Sequence, residues 1–424
     1  MTKAAHENCD EPVWARADAF PLAPDRWGWV DFKGRHHRCD SSAALISAIR
    51  VDRDAGVELV WTPAHRHLIL PEELLDATDA VHASRQRRAA DNLLDAQEKL
   101  RWFGGLLVGL AIYMFYQGWN YAPHAATPAE RQGFAWHAML TSMSMGITLL
   151  MFLIFAFIPW YQARKRIQEL SHWTEGDHLA LVPALRFESW LAAQRAPVTK
   201  ILLGLLTLVA LAQILSELPT AGWGTWRALL HGWQGTSAAG LIKESYSHGE
   251  WWRLFTAPLL HGNVVHFLMN ASALLYLGKR LEVFARWPHL PLVFLFAACI
   301  GGEASARFVA APSVGASGGL MGWLGFLLVF ESLHHRLVPR SASRRLLAGV
   351  ILTGVIGLIG YRFIDNAAHL GGLLAGMVYA LIVFPKSISP SRPNTTLPDR
   401  LAGTAALAAL ALAAGFAVLK ILPH

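Results

Sequence analysis

The chain has 424 residues, of which 54% are hydrophobic and only 16% are charged. This composition excludes an ordinary soluble domain, because the apolar residues fall in long runs that can cross a lipid bilayer. The formal net charge of +7 does not indicate a nucleic-acid partner, since Lys and Arg retained in cytoplasmic loops explain the excess and no aromatic-rich basic motif is present.

Residues 1–98 are polar and mixed, and they predict a small cytosolic α+β domain with a connecting helix. Residues 57–61 and 67–70 flank Thr62-Pro63 and predict a β-hairpin, after which residues 71–100 have a charged, helical pattern. The first residues carry no apolar signal segment, so we expect the first spanning helix to direct insertion into a bacterial plasma (inner) membrane with the N-terminus in the cytoplasm.

Neither a disulfide framework nor a metal site is expected. Cys9, Cys39 and Cys299 are too few and too scattered to form paired disulfides. The run Arg35-His36-His37-Arg38-Cys39 has a spacing that fits no established metal site and is interpreted as a solvated surface.

Nine apolar segments approach the roughly 20 residues that span a hydrocarbon core of about 30 Å. These segments are residues 102–120, 137–160, 198–217, 259–278, 289–309, 317–333, 346–361, 366–385 and 401–421. With the N-terminus inside, clusters of Lys and Arg fall in alternate loops, as the positive-inside rule requires. The sequence therefore predicts an all-α polytopic membrane protein with two extra helices in 99–197, a six-helix core in 198–385, and a linker and C-terminal helix in 386–424.

The fourth segment carries two polar side chains on one face. His266 and Asn270 are four residues apart, so a helix presents both in the same direction. Taken alone, such residues in a membrane helix are interpreted as hydrogen-bonding partners between helices.

The sixth segment opens Gly315-Ala316-Ser317-Gly318-Gly319, a small nucleophile among glycines that allow a substrate backbone to approach. Close packing of small residues between helices is the structural alternative. The same letters satisfy the G-x-S-x-G elbow of α/β-hydrolases, but that motif needs a preceding strand and a soluble sheet, which this apolar context excludes.

The eighth segment carries His369, with Gly372 and Gly376 following on a G-x-x-x-G stripe. That stripe permits a close helix crossing, which would place His369 against the helix of Ser317 as a general base. Asp365, one turn earlier, is interpreted first as the N-cap of this helix. In the nine-helix arrangement His266, Asn270, Ser317 and His369 share one depth near the extracytoplasmic side, as the parts of an acyl-transfer site would.

In this order the motifs resemble the rhomboid intramembrane proteases over about residues 198–385. Further matching positions are Trp252 and Arg253 in the first loop, His261, Glu282 after Leu277-Gly278, Gly315 and Gly318 at the nucleophile, and Gly372 and Gly376. One position departs from the resemblance: Met321 stands where many members have Tyr or Phe packed on the catalytic His.

The resemblance implies a serine endopeptidase, a hydrolase that cuts transmembrane protein substrates in or beside the bilayer without a cofactor. Ser317 would be the nucleophile and His369 the general base and acid. The Ser317 backbone N–H with the side chains of His266 and Asn270 would form the oxyanion site.

Two other functions remain as alternatives. An inactive rhomboid-like protein that binds membrane clients would be expected to lack Ser317 or His369. A transporter is the third possibility, because Glu303 lies in or near a span and buried carboxylates often mark ion pathways.

Overall fold

The computed structural model describes residues 11–51, 56–123, 126–221, 235–361 and 364–422, so Cys9 lies outside the described residues. The chain separates into two compact units. One comprises Ala17–Ser189 and Thr353–Ile364, and the other comprises Met1–Arg16, Trp190–Leu352 and Asp365–His424. The sequence-predicted boundaries near residues 98, 197 and 385 stay predictions.

A small antiparallel sheet opens the first unit, with strands β1 (Trp27–Asp31), β2 (His36–Cys39) and β3 (Val57–Trp61) in the order β2-β1-β3. The helix α1 (Ser42–Val51) packs on this sheet around a buried apolar cluster that includes Leu45 and Val60. The predicted hairpin is reduced to one bridge, in which Val60 and Ile69 exchange backbone hydrogen bonds of 2.8 and 2.9 Å.

The connecting helix and the first extra span form one helix, α2 (Thr78–Tyr121), of 44 residues. At about 1.5 Å per residue it is roughly 66 Å long, enough to hold both a polar segment and a membrane span. Its first turns contribute Ala80 and Val81 to the core of the sheet domain.

The rest of the first unit is helical. Its helices are α3 (Pro128–Thr141), α4 (Met143–Phe152), α5 (Ile158–Ser171) and most of α6 (Glu175–Ala193). A π-helical turn, Leu153–Phe157, separates α4 from α5 directly before Pro159. The predicted span 137–160 is therefore an α–π–α helix that starts near residue 143, because proline lacks the N–H that would continue a regular α-helical ladder.

The second unit holds the predicted core. Three short helices lie in its first loop: α8 (Gly235–Ala239), α9 (Lys243–Ser247) and α10 (Arg253–Thr256). Its long helices are α7 (Pro197–Ala221), α11 (Val264–Phe284), α12 (His289–Phe308), α13 (Ser317–Leu333), most of α14 (Arg340–Ile359), α15 (Asn366–Val383) and α16 (Leu397–Ile421).

Six helices in the described part of the chain are long and apolar enough to cross a membrane: Ser144–Ser171, Pro197–Glu217, His289–Phe308, Arg340–Ile359, Asn366–Val383 and Leu397–Ile421. The helix α13 is apolar but has only 17 residues. The protein is thus a multi-pass membrane protein, and the total of nine spans stays a prediction.

The fourth predicted span, 259–278, is displaced along the chain. Residues Ala257–Leu259 form a separate 3₁₀ turn around Pro258, and α11 begins only after Asn263, whose side chain accepts a hydrogen bond from the His266 N–H at 2.9 Å. An N-cap of this kind satisfies one of the N–H groups that a helix start leaves unpaired, so it fixes where the helix begins.

Glu282 on α11 fastens the start of α7. Its carboxylate accepts hydrogen bonds from the backbone N–H groups of Val198 (3.0 Å) and Thr199 (2.8 Å) and from the Thr199 hydroxyl (2.7 Å). Because Pro197 begins α7, these are first-turn donors that the helix itself leaves unpaired. This residue, predicted as a supporting one, acts as an N-cap supplied by another helix.

Candidate active site

Ser317 is the first residue of α13, two residues after Gly315 in the irregular segment that precedes the helix. Gly315 has φ +123°, a conformation that glycine adopts readily, and its N–H donates to the Ala257 carbonyl at 3.0 Å. The N–H groups at the start of a helix point outward without intrahelical acceptors. The backbone N–H of Ser317 therefore lies where a developing oxyanion beside its own side chain could be bound.

His266 and Asn270 lie against this segment. A Cβ atom placed on Gly315 would be 2.7 Å from His266 Cε1, 2.8 Å from His266 Nε2 and 3.7 Å from Asn270 Nδ2. Only a residue without a side chain fits at such distances. The segment that leads into Ser317 therefore lies next to two side-chain N–H donors, those of His266 and Asn270.

The hydrogen bonds of His266 indicate which ring nitrogen carries its proton. The Gly262 N–H donates to His266 Nδ1 at 3.4 Å, so Nδ1 acts as an acceptor and the neutral ring is assigned a proton on Nε2. Nε2 is the nitrogen that faces Gly315. Asn270 donates from Nδ2 to the His266 carbonyl at 3.1 Å, which holds its amide on the same side.

The helices α13 and α15 cross at backbone contact. A Cβ on Gly372 would lie 2.0 Å from the Gly318 carbonyl oxygen, and one on Gly376 would lie 1.8 Å from the Gly322 carbonyl oxygen. The G-x-x-x-G stripe thus makes the close crossing that its spacing predicts.

This crossing brings the candidate base toward the candidate nucleophile. A Cβ on Gly318 would lie 3.6 Å from the Ala368 carbonyl oxygen, so the residue after Ser317 meets the residue before His369. Among the described residues no hydrogen bond joins Ser317 Oγ to the His369 ring, a contact that in serine hydrolases often tightens only when substrate binds.

Asp365 caps α15 and does not orient the His369 ring in the described part of the structure. Its Oδ1 accepts the Ala368 N–H at 2.9 Å, and its main-chain carbonyl accepts the His369 N–H at 3.1 Å. Its other carboxylate oxygen accepts hydrogen bonds from the hydroxyls of Ser305 and Ser313. The N-cap predicted from sequence is present, and the two serine contacts are additional.

Trp252 and Arg253 hold the first loop together. The Arg253 guanidinium donates to the Gly240 carbonyl at 2.7 Å, pairs with Glu250 and lies 4.6 Å from the centre of the Trp252 ring. On its other side Trp252 contacts Phe416 of α16 at 5.0 Å between ring centres. The contacts of these two residues therefore lie within the first loop and at α16.

His261 is fully buried, with its ring 5.3 Å from those of His266 and Phe267. Its backbone is bracketed by the amide of Gln213, which accepts the His261 N–H at 3.0 Å and donates to the His261 carbonyl at 2.9 Å. Sequence reasoning missed Gln213, although a Gln inside an apolar span is a visible signal for such a role. Met321 is also buried, at 9% exposure.

The polar residues behind the other functional hypotheses are already engaged. Glu303 accepts the hydroxyl hydrogen of Tyr246 and lies 3.8 Å from Arg307, and this hydrogen bond raises the pKa of Tyr246 to about 12. In the N-terminal cluster, Arg35 and His37 bind the buried carboxylate of Asp31. Among the residues that the structure describes, no group of three or more His, Cys, Asp or Glu side chains could hold a metal ion.

Comparison with known proteins identifies a related domain in this part of the chain. Residues 248–386 match the rhomboid domain, a segment that contains all four candidate catalytic and oxyanion residues. The chain is 33% identical over 138 residues to rhomboid protease GluP of Bacillus subtilis. The aligned segment covers 32% of this chain and 26% of that protein. It is 34% identical over 151 residues to the mitochondrial RHOMBOID-like protein 6 of Arabidopsis thaliana, covering 34% of this chain and 48% of that protein.

A human relative, inactive rhomboid protein 2, is 32% identical over 139 residues, covering 32% of this chain and 16% of that protein. The chain thus spans less than half the length of these curated relatives, and their names include both a protease and an inactive protein. The domain match, together with the order of the motifs, identifies residues 248–386 of this chain as a rhomboid domain.

Proposed function

We propose that this protein is an intramembrane serine endopeptidase that hydrolyses peptide bonds in or next to transmembrane segments of other membrane proteins. The observation that carries the proposal is the backbone contact between α13 and α15, which brings Gly318 against Ala368 and so the neighbouring Ser317 toward His369. His266 and Asn270 approach from α11 at Gly315. A nucleophile, a base and directed N–H donors are the parts that acyl transfer requires.

In the proposed reaction His369 takes the proton of Ser317 Oγ as that oxygen attacks the scissile carbonyl carbon. The resulting oxyanion accepts hydrogen bonds from the Ser317 N–H, His266 Nε2–H and Asn270 Nδ2–H. His369 then gives its proton to the leaving amine, and the C–N bond breaks to leave an ester on Ser317. A water molecule, deprotonated by His369, hydrolyses this ester and restores Ser317.

The length of α13 supports a site below the membrane surface. Its 17 residues extend over roughly 26 Å, which is less than the hydrocarbon core of about 30 Å. A helix that reaches the cytoplasmic boundary therefore starts a few ångströms inside the opposite boundary. We propose that Ser317 lies at that depth and opens to the extracytoplasmic side of a plasma membrane, with the N-terminus in the cytoplasm.

The second candidate is a protein that binds membrane clients without cutting them, and the similarity to a relative named inactive motivates it. The presence of both Ser317 and His369 favours the protease. A transporter is disfavoured because the Glu303 carboxylate is engaged by Tyr246 and Arg307.

The test is cleavage of a tagged transmembrane substrate by the purified full-length protein in liposomes. Wild type should cleave, whereas Ser317→Ala and His369→Ala should each lose activity to background. A matched control is Ser272→Ala, which removes an exposed serine on α11 whose hydroxyl binds only its own helix, at the Leu268 carbonyl.

A fluorophosphonate probe separates the alternatives. If wild type cleaves nothing but the probe labels Ser317 in a His369-dependent way, the site is reactive and only the substrate was unsuitable. If there is neither cleavage nor labelling, the protease proposal is wrong and the client-binding protein takes its place.

A further inference from the structure

The carboxylate of Asp365 joins four separate segments of the second unit. One oxygen accepts the hydroxyl hydrogens of Ser305 on α12 and of Ser313, while the other accepts the Ala368 N–H of α15 at 2.9 Å. Ser305 in turn accepts a hydrogen bond from Lys243 Nζ of α9 at 2.6 Å. Each hydroxyl uses its single hydrogen toward the carboxylate, so the directions of these hydrogen bonds are fixed.

Two of these segments lead directly to the proposed catalytic residues. Ser313 lies four residues before Ser317, and Asp365 lies four residues before His369, whose N–H binds the Asp365 carbonyl at 3.1 Å. One carboxylate therefore ties the segment that enters the nucleophile helix to the first turn of the base helix. A change in its hydrogen bonds would shift Ser317 and His369 relative to each other.

Lys243 supplies the positive charge of this cluster. Its side chain is partly buried, and burial lowers the pKa of Lys243 while the nearby Asp365 carboxylate offsets part of that shift. The Lys243 ammonium donates to Ser305 Oγ and the Ser305 hydroxyl donates to Asp365, so one chain of charge-assisted hydrogen bonds links the cation to the carboxylate. The loop is held to the same place by the backbone of Leu241, which exchanges hydrogen bonds of 2.9 and 3.1 Å with Ser313.

We propose that Asp365 and Lys243 are positioning residues that set the geometry between Ser317 and His369 through Ser305 and Ser313. Neither side chain touches the reacting atoms. The proposal deepens the assignment of the site and rests on the proposed function for its kinetic consequences. It also makes the first loop part of the catalytic architecture, because α9 carries the cation.

The kinetic test compares four variants of the full-length protein in liposomes: Lys243→Met, Lys243→Arg, Asp365→Asn and the double variant Lys243→Met/Asp365→Asn. Lys243→Met and Asp365→Asn should each lower kcat by about tenfold while KM changes less than about twofold, because loss of alignment acts on the chemical step. Lys243→Arg should restore most of the rate. The double variant should lose less than the product of the two single effects, since both substitutions act on one connected chain of hydrogen bonds.

The matched control is Glu244→Gln, which removes one charge from the neighbouring exposed residue of α9 and should leave kcat unchanged. Unchanged kcat in Lys243→Met, or single effects that multiply in the double variant, would overturn the proposal. If Lys243→Arg and Lys243→Met lower kcat equally, the positive charge of Lys243 is not what matters. That result would overturn the positioning role proposed for Lys243.

Hydrogen exchange keeps the proposal testable even if the wild type proves inactive. Lys243→Met should raise amide exchange several-fold in the first turn of α15 (residues 366–371), although Lys243 lies on a different helix. Glu244→Gln should not change it. If the wild type neither cleaves substrate nor reacts with the fluorophosphonate but shows this exchange effect, the protease function is wrong and the structural link stands. Unchanged exchange in Lys243→Met would show that the link itself is wrong.

Discussion

Asn270 is the individual residue whose proposed role is most open to direct measurement. Its side chain is buried, and in the resting structure Nδ2 binds the carbonyl of His266 on its own helix. In the reaction that N–H would bind the oxyanion, so Asn270→Ala should lower kcat by about 10²- to 10³-fold and leave a measurable rate. Ser317 labelling by a fluorophosphonate should weaken in parallel.

The control for Asn270→Ala is Ser272→Ala on the same helix, which should cleave at the wild-type rate. Thermal unfolding in detergent checks that both variants fold. A wild-type rate in a folded Asn270→Ala protein would exclude Asn270 from the oxyanion site, and His266 would then be the remaining side-chain donor.

At the residue scale, short motifs single out the candidate site residues but not their partners far along the chain. Ser317, His369 and the cap at Asp365 follow from short patterns whose physical meaning is local. The bonds from Asp365 to Ser305 and from Ser305 to Lys243 join residues 60 and 62 positions apart. An isolated serine or lysine carries no sign of such a partner, because the contact depends on how helices pack.

The packing of α13 on α15 is the element-scale feature that the site depends on. A Cβ on Gly376 would meet the Gly322 carbonyl oxygen at 1.8 Å and its carbon at 2.6 Å, and both are backbone atoms that cannot rotate away. Gly376→Ala should therefore separate the helices, lower the free energy of unfolding by roughly 1–3 kcal/mol and reduce Ser317 labelling.

Gly415→Ala is the matched control for this change, because a Cβ at Gly415 on α16 meets no heavy atom within 4 Å. Alanine is a better helix former than glycine, so this variant should be as stable as wild type or more stable, by up to about 1 kcal/mol. Equal destabilisation of both variants in thermal unfolding would show that the close crossing has no special role.

Helix existence was easier to predict than helix bounds. Hydrophobic periodicity locates α7, α12 and α15 to within a few residues, whereas α11 begins at Val264 and not near 259. The reason is local chemistry, since Pro258 favours a separate turn and Asn263 provides the cap. Apolar composition alone does not distinguish a 3₁₀ turn from the start of a spanning helix.

At the scale of the whole molecule, the proposed topology predicts on which side of the membrane each loop lies. Ser247 belongs to the first loop, in which Leu241 pairs with Ser313 just before the start of the Ser317 helix. Ser389 follows the C-terminal end of α15. In intact cells, a membrane-impermeant maleimide should label Ser247→Cys and should label Ser389→Cys only after permeabilisation. Both positions are exposed.

Native Cys9, Cys39 and Cys299 should first be replaced by Ala in the parent protein, because each carries a thiol that could react with the maleimide. The opposite labelling pattern would invert the topology and place the site on the cytoplasmic side. Labelling of both positions in intact cells would show that the number of spans between them is even.

The N-terminal sheet shows that strand pairing within a domain is harder to predict from sequence than the strands themselves. A β-strand at residues 57–61 was predicted, but its main partner is β1 and the third strand is β2, which contains the Arg- and His-rich run. Polar strands with exposed side chains lack a strong alternating pattern, so their pairing is set by the shared core and not by local sequence.

The capping of α7 by Glu282 has a consequence for biogenesis. The N–H groups of Val198 and Thr199 have no side-chain acceptor until Glu282 has been synthesised, 84 and 83 residues later in the chain. At about 5–20 residues per second, the ribosome needs roughly 4–17 seconds to supply it. Because the helix itself leaves these donors unpaired, we expect water to solvate the first turn of α7 during that interval and the packing of α7 on α11 to be completed only afterwards.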